Sequence, residues 1–310
     1  MPHGHPAELV LGSAQLGLPY GAANRIGRPS RTAAVGIVQQ ALASGVTTID
    51  TARAYGDSEN LLGEALHQRS MRTITKLSPL TELASDTSPR HVRDVVDRSI
   101  SESMVALRRG RLDCVLLHRA QQLAAFDGAI WQRLLELQRD GTIGTLGVSV
   151  QSAEEARKAI ACDAVHHIQL PFNLLDWRWR ESGVIDSIRS RSNLTVHVRS
   201  VFLQGILASS DPLVWPEVAG VDVMAMIHTV QTLARTLDRE SAADLCLAFV
   251  RAQDWIDGVV VGMETEDQLR TNLRLFGAPP LSIEECEEIE HRILRVPIEL
   301  LDPAQWPRRN

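Results

Sequence analysis

Eight short apolar runs, each separated from the next by a helical pattern, constrain this chain more than any other feature. The runs end near Gly12, Asp50, Lys76, Leu117, Gly147, Gln169, Arg199 and Val261. Strictly alternating strand and helix implies crossover connections and a parallel sheet. Helical patterns cover 31–44, 59–68, 90–109, 126–139, 153–160, 181–189, 223–237 and 241–252. Ser30 and Ser58 stand where N-caps are expected, and Gly45 and Gly110 where helices should stop. Eight such units in 310 residues favour a closed (β/α)8 TIM barrel over an open doubly wound sheet. No Pro/Gly/Ser-rich linker interrupts the pattern. A single domain over 1–310 is expected, with its core at about 8–276 and a C-terminal extension at 277–310. Long connections at 78–89, 202–220 and after 276 should shape a pocket on the C-terminal face.

Composition removes several classes. A net charge of −6, with Arg308-Arg309 the only charged tail, argues against a nucleic-acid partner. No apolar stretch approaches the ~18 residues needed to span a bilayer, and Met1–Pro6 has no signal-peptide core. Cys114, Cys162, Cys246 and Cys286 are far apart and form no CxxC pair. Free thiols in a reducing cytoplasm are the expectation. His3 and His5 read as a frayed polar terminus. His166 and His167 are adjacent and should point to opposite faces of a strand. No His-x-His pair lies on a barrel strand, so no metal site is expected.

Parallel strands joined by helices share one C-terminal rim, where such folds build active sites. Asp50 and Lys76 close two of the runs, His118 directly follows a third, and Tyr55 lies in the loop after Asp50. Each alone has an ordinary reading: a loop anchor, a packed phenol, a solvated strand end, a rim histidine. Together they form a proton-transfer centre. A nearby ammonium favours a phenolate. Lys76 supplies the ammonium, Asp50 holds it charged and in place, and His118 orients a carbonyl or relays the proton. Such a group suits carbonyl reduction, in which Tyr55 protonates oxygen as hydride reaches carbon.

The segment 45–56, Gly-Val-Thr-Thr-Ile-Asp-Thr-Ala-Arg-Ala-Tyr-Gly, followed by Ser58-Glu59 and Gly63-Glu64, resembles the signature of the aldo-keto reductase family. Thr75-Lys76-Leu77 resembles that family's lysine strand, and Leu116-Leu117-His118 its histidine strand. The likeness runs from about Leu9 to about Phe276. It implies a (β/α)8 barrel that binds an extended nicotinamide cofactor without a Rossmann domain; no GxGxxG follows the first strand. It also implies the roles argued above for Asp50, Tyr55, Lys76 and His118.

The resemblance implies cofactor contacts as well. Gly12 and Ser13 match the first turn, and Asp50 belongs to both sets. Ser149 and Gln169 match residues that hold the nicotinamide amide. Arg199, Ser200, Phe202, Gln204 and Gly205 lie in the segment corresponding to the family's aromatic-Ser-Pro-Leu. Gly262, Met263, Glu264, Thr265, Gln268 and Asn272 match the adenosine-phosphate segment. Two positions depart from the pattern. Val150 stands where many members have asparagine, and Arg199 replaces the aromatic that stacks on nicotinamide, though a guanidinium plane also stacks. The segment 15–24 resembles a bacterial branch associated with sugar metabolism, and Trp177 with Trp179 offers a sugar-stacking wall.

Thr265 should cap a helix whose N-terminus favours phosphate. The family leans to NADP(H), whereas a carboxylate at Glu264 leans to NAD(H), so both cofactors stay open. The expected protein is a cytoplasmic NAD(P)-dependent oxidoreductase, a monomer or small homo-oligomer. It reduces an aldehyde or ketone, or oxidises a sugar hemiacetal or alcohol. The alternative is a non-catalytic nucleotide-binding barrel that reports redox state to a partner.

Overall fold

All eight apolar runs fold as strands: β1 (Glu8–Gly12), β2 (Thr48–Asp50), β3 (Arg72–Lys76), β4 (Leu112–Leu117), β5 (Ile143–Ser149), β6 (His167–Pro171), β7 (Thr195–Arg199) and β8 (Gly258–Gly262). In the computed structural model, which describes residues 7–66, 69 and 71–307, they pair in sequence order, all parallel, and β8 closes on β1. The expected (β/α)8 barrel is the fold. The register sets Gly12 beside both Asp50 and Gly262, Lys76 beside Leu116, and Ser149 beside Gln169.

Helices α1 (Ala14–Gly17), α2 (Arg31–Ala43), α3 (Ser58–Ala65), α4 (Pro89–Leu107), α5 (Ala129–Arg139) and α6 (Ala153–Ile160) occupy the first half. Then come α7 (Arg178–Glu181), α8 (Val184–Arg189), α9 (Val223–Thr236), α10 (Ala242–Arg251), α11 (Glu266–Gly277), α12 (Ile283–Arg292) and α13 (Ile298–Leu301). Most of the buried apolar side chains form one core in which Leu281, Ile289, Leu300 and Leu301 of the C-terminal extension take part.

Four local expectations need correction. The helix expected over 126–139 starts at Ala129, because Phe126 and Asp127 adopt left-handed backbone (φ 54° and 53°). The pattern over 181–189 is two helices, broken at Gly183 with φ 72°. α4 stops before Gly110, on a left-handed Arg108. Ser58 is not an N-cap: it lies inside α3, and its hydroxyl bonds elsewhere. Ser30 does cap α2 by accepting from Ala33 N. The helix end expected at Gln68, the segment Met1–Pro6 and the Arg308-Arg309 pair lie outside the described residues.

Side chains alternate across a strand, so every second residue enters the barrel. Ile74, Cys114 and Leu116 form a small apolar cluster of their own, distinct from the outer core. His167 and His197 sit inside the barrel with ring centroids 4.4 Å apart and are essentially unexposed. Cys114 Sγ lies 3.7 Å from His167 Nδ1, and Glu8 lies 3.7 Å from His197 Nε2. His166, on the opposite face, meets Asn193 near the surface.

Burial pushes the His197 imidazole down to about 3, with Arg72 and Lys76 adding to it. Burial, then His197 and Arg72, holds His167 well below its ordinary value. Both rings are therefore neutral when folded, whereas an unfolded histidine takes up a proton near pH ~6.5. Below that pH the unfolded chain binds more protons, so stability rises with pH and falls on acidification. Each ring should contribute a slope of up to ~1.4 kcal/mol per pH unit. Urea unfolding between pH 7 and 5 should show this loss, and His197→Gln should remove about one proton's worth of slope. An unchanged slope in that variant would show that His197 does not titrate this way.

Candidate active site

Inward parity at the C-terminal rim brings the expected residues together. Asp50 ends β2, Lys76 ends β3 and His118 follows β4. Lys76 is 1% exposed, and its ammonium has three acceptors: Asp50 Oδ1 at 2.7 Å, Asp50 Oδ2 at 2.8 Å and the Thr51 carbonyl at 2.9 Å. Burial pulls the ammonium down, but the Asp50 charge, with Tyr55, outweighs it and raises Lys76 above its ordinary value. The same ammonium lies 4.8 Å from the centre of the Tyr55 ring. Tyr55 and His118 meet edge to face, centroids 5.9 Å apart. Burial pushes His118 down to about 3, with Lys76, Arg199 and Arg119 adding to the effect. At neutral pH its ring is an uncharged donor and acceptor. Its Nδ1 is buried without a partner.

Tyr55 is placed by backbone rather than by side chains. Gly56 has φ +58°, and a Cβ there would lie 2.6 Å from the Gly17 carbonyl oxygen. A Cβ on Gly17 would lie 1.9 Å from the Tyr55 carbonyl oxygen and 2.8 Å from Ser58 N. The turns after β1 and β2 thus interlock through two glycines. Ser58 Oγ completes the lock, with Ser13 Oγ at 2.7 Å and Thr51 Oγ1 at 3.0 Å. Beneath the loop, the buried Glu59 accepts from Thr75 Oγ1 at 2.7 Å and pairs with Arg53 at 3.0 Å.

Asp50, Tyr55 and His118 line a cavity of about 820 Å³. It also borders Gly12, Ser13, Ser149, Arg199, Ser200, Phe202, Gln204, Gly205, Gly262, Glu264, Gln268 and Asn272, all expected at a cofactor site. Four expected residues do not line it. Lys76 lies behind Asp50. Gln169 is fully buried; its Nε2 donates to Asp50 Oδ2 at 2.7 Å while its Oε1 has no partner. Met263 packs into the outer core. Thr265 caps α11 by accepting from Gln268 N. In return, Gln268 Oε1 accepts from Glu264 N at 2.6 Å and Thr265 N at 3.3 Å, so the helix's own side chain takes those amides.

The loop after β7 is strained where it borders the cavity: Ser200, Leu203 and Gln204 have φ of 63°, 44° and 55°. Such non-glycine positions concentrate at functional sites. Ala23 N donates to the Gln204 carbonyl at 3.1 Å, and Arg25 pairs with Asp211, joining this loop to the one after β1. Tyr20 and Asn24 of the latter loop also line the cavity. The sugar wall is not formed. Trp179 is fully buried and donates to Asp176, and Trp177 donates to the Val296 carbonyl under Arg295.

Sequence reasoning named Gly17, Gly56 and Ser58 within motifs without seeing their task. A glycine on each of the two turns that meet at Tyr55 was the available signal. Among the described residues, no group of three or more His, Cys, Asp or Glu is placed to hold a metal ion, and no helix is long and apolar enough to cross a membrane.

A closed parallel barrel with Asp, Tyr, Lys and His gathered at its C-terminal rim defines a class of barrel oxidoreductase. A model of the aldo/keto reductase family matches residues 8–293, and the chain belongs to that family. It is 30% identical over 150 residues to the aldo-keto reductase YhdN of Bacillus subtilis, a match covering 47% of this chain but only 45% of that relative. It is 24% identical over 273 residues to the uncharacterized oxidoreductase YqkF of the same organism, covering 83% and 86% of the two chains. Among solved structures, it resembles the holo form of the aldo-keto reductase AKR11C1 from Bacillus halodurans, with TM-score 0.74, 22% identity and 94% of each chain covered. The glycerol dehydrogenase AKR11B4 from Gluconobacter oxydans gives TM-score 0.71 at 22% identity, over 96% of this chain and 94% of that one. At such identities these two show the fold.

The interlocked turns generate a prediction. Gly17→Ala must push the Tyr55 carbonyl aside and carry the phenol with it. Displacement of about 1 Å at a reacting group lowers rates by roughly 10²-fold. NAD(P)H-dependent reduction of a test aldehyde should fall by at least that factor while circular dichroism keeps the wild-type signature. Wild-type turnover in this variant would show that the contact does not set Tyr55.

Proposed function

We propose that this protein is an NAD(P)H-dependent carbonyl reductase in which Tyr55 is the general acid. The observation that carries the reading is the buried Lys76 ammonium, held by Asp50 and set 4.8 Å from the Tyr55 ring. The cavity suits an extended dinucleotide. It runs from the tetrad across the strand ends to the start of α11, passes the small residues Gly12, Gly205 and Gly262, and has the volume of a cofactor site. Ser149, Ser200, Gln204 and Asn272 are the polar groups along it that would hold the cofactor. When bound, reduced nicotinamide supplies the hydride.

The chain's own residues handle the proton. Neutral His118 offers a ring nitrogen to the carbonyl oxygen and fixes its direction. The Tyr55 hydroxyl gives its proton to that oxygen as negative charge develops there. The phenolate left behind is stabilised by the Lys76 ammonium, and Asp50 keeps that ammonium from surrendering its own proton. In the reverse direction the phenolate takes the alcohol's proton. Burial of Lys76 and His118 keeps these interactions at low effective dielectric, where they are strongest.

Tyr55→Phe should therefore lower carbonyl reduction by roughly 10²–10⁴-fold with cofactor affinity nearly unchanged. Lys76→Met should move the pH profile of alcohol oxidation to higher pH, because the phenolate loses its counter-charge. Asp50→Asn should do so more weakly. Half the wild-type rate in Tyr55→Phe sinks the assignment. No carbonyl reduction by the wild type, alongside intact dinucleotide binding, would favour the non-catalytic barrel.

The adenosine end supports a preference for NADH. Glu264 lines the cavity, and burial raises its carboxyl above the ordinary value, with Gln268 opposing. Gln268 also occupies the two amides that would otherwise meet a phosphate. A 2′-phosphate would meet a carboxylate and satisfied donors, a combination expected to disfavour NADPH by about five-fold or more. Glu264→Ser with Gln268→Arg should reverse the preference, most strongly at low salt. Titration with both dinucleotides, read by tryptophan fluorescence, measures it; tighter NADPH binding by the wild type would remove this part of the proposal.

A further inference from the structure

We infer that the substrate of this site carries a carboxylate in addition to its carbonyl, and that Arg199 binds it. The inference rests on the reductase reading and names its substrate class: an oxo acid, an aldehyde acid or a sugar acid.

The first observation is a charge inventory. Arg199 is the one lysine or arginine among the described residues that line the cavity. Within the tetrad the other charges are cancelled, since Asp50 is paired with Lys76 and His118 is neutral at pH 7; the exposed Arg119 also acts on His118 but does not line the cavity. The half-buried guanidinium meets only neutral acceptors: Gln151 Oε1 at 2.8 Å, Ser200 Oγ at 3.4 Å and the Val150 carbonyl at 3.5 Å. No carboxylate of the described residues lies within ion-pair distance of it.

The second observation is that the guanidinium is held in place without being neutralised. Gln151 is itself fixed: its Nε2 reaches Asp302 Oδ1 at 3.3 Å, and its backbone N–H donates to Glu155 at 2.6 Å. Its amide oxygen orients Arg199 and leaves the charge intact. A guanidinium has five N–H donors. Three hydrogen bonds engage Nη1 and Nη2 here, which leaves the Nε–H and a further Nη–H to meet a carboxylate. A single uncompensated positive charge matches one carboxylate better than a doubly charged phosphate.

The third observation is location. Arg199 ends β7 and lines the same cavity as Tyr55 and His118. An anion on Arg199 therefore shares that cavity with the group proposed to protonate the carbonyl.

The test compares matched aldehydes in the wild type, Arg199→Gln and Arg199→Lys. Succinic semialdehyde is paired with butanal, and glyceraldehyde 3-phosphate with glyceraldehyde. In the wild type, kcat/KM should favour the carboxylated aldehyde over butanal by about 10- to 100-fold, the range of a charge-assisted hydrogen bond. That ratio should fall to near one in Arg199→Gln and be partly kept in Arg199→Lys. A ratio is read because Arg199 also borders the cofactor cavity, so a common loss of rate cancels. A wild-type ratio near one, or equal loss on both aldehydes in Arg199→Gln, overturns the inference. A larger gain from phosphate than from carboxylate overturns the choice of anion. Calorimetry with succinate separates the two readings if no aldehyde is reduced. Succinate binding lost in Arg199→Gln keeps the anion site and removes the reductase; no binding removes the anion site as well. Turnover without charge preference keeps the reductase alone.

Discussion

Burying the Lys76–Asp50 pair is the constraint around which the rest of the rim is arranged. Two charges removed from water are stable only if geometry returns what desolvation takes, and losing one partner of such a pair typically costs about 3–5 kcal/mol. Here the return is complete on the lysine side, with an acceptor for each ammonium proton. On the aspartate side, Gln169 adds a further donor from across the barrel. These bonds exist only if Asp50 and Lys76, the last residues of β2 and β3, converge inside the barrel on Gln169 in the middle of β6. Barrel closure therefore creates the pair, and the pair penalises any slip in that closure. The same ammonium lies 4.8 Å from the centre of the Tyr55 ring.

Much of this was legible in the sequence because strand parity is simple arithmetic. Asp50, Lys76 and Arg199 each end an apolar run and His118 follows one, so the C-terminal rim was their one common location. The errors share another cause. Ser58, Arg108, Phe126 and Gly183 were misread because a helix boundary depends on what its neighbours touch. Ser58 leaves its capping role for Ser13 and Thr51, which are close only after the barrel forms. Trp177 and Trp179 looked like a wall for a sugar, yet each donates its N–H into packed structure. Composition cannot tell a ligand-facing aromatic from a packed one. Gln268 was read as a possible phosphate neighbour, and its reach back to its own helix start is visible only in three dimensions.

The cavity is polarised by neutrality as much as by charge. His118, His167 and His197 are all kept uncharged by burial, and Asp50 and Lys76 cancel. The barrel interior thus adds little net field, which leaves the few uncompensated groups at the cavity wall as the charges a ligand would meet. Glu264 stands on the loop after β8 and Arg199 at the last position of β7, at the rim of the barrel. On the proposed reading, the paired groups within carry the chemistry and the unpaired ones along the wall carry the selectivity.

The contact between Gly17 and Gly56 has a consequence for how this protein can vary. Most steric conflicts in a core can be relieved by trimming a neighbour, so a harmful change can be rescued by a second one nearby. Here the atoms in conflict are largely main-chain: the Tyr55 carbonyl and Ser58 amide against Gly17, the Gly17 carbonyl against Gly56. No side-chain replacement can make room for them. The two turns, nearly forty positions apart, are therefore bound to a shared history. Neither can drift alone, and only a change in loop length that re-routes both backbones together could release them.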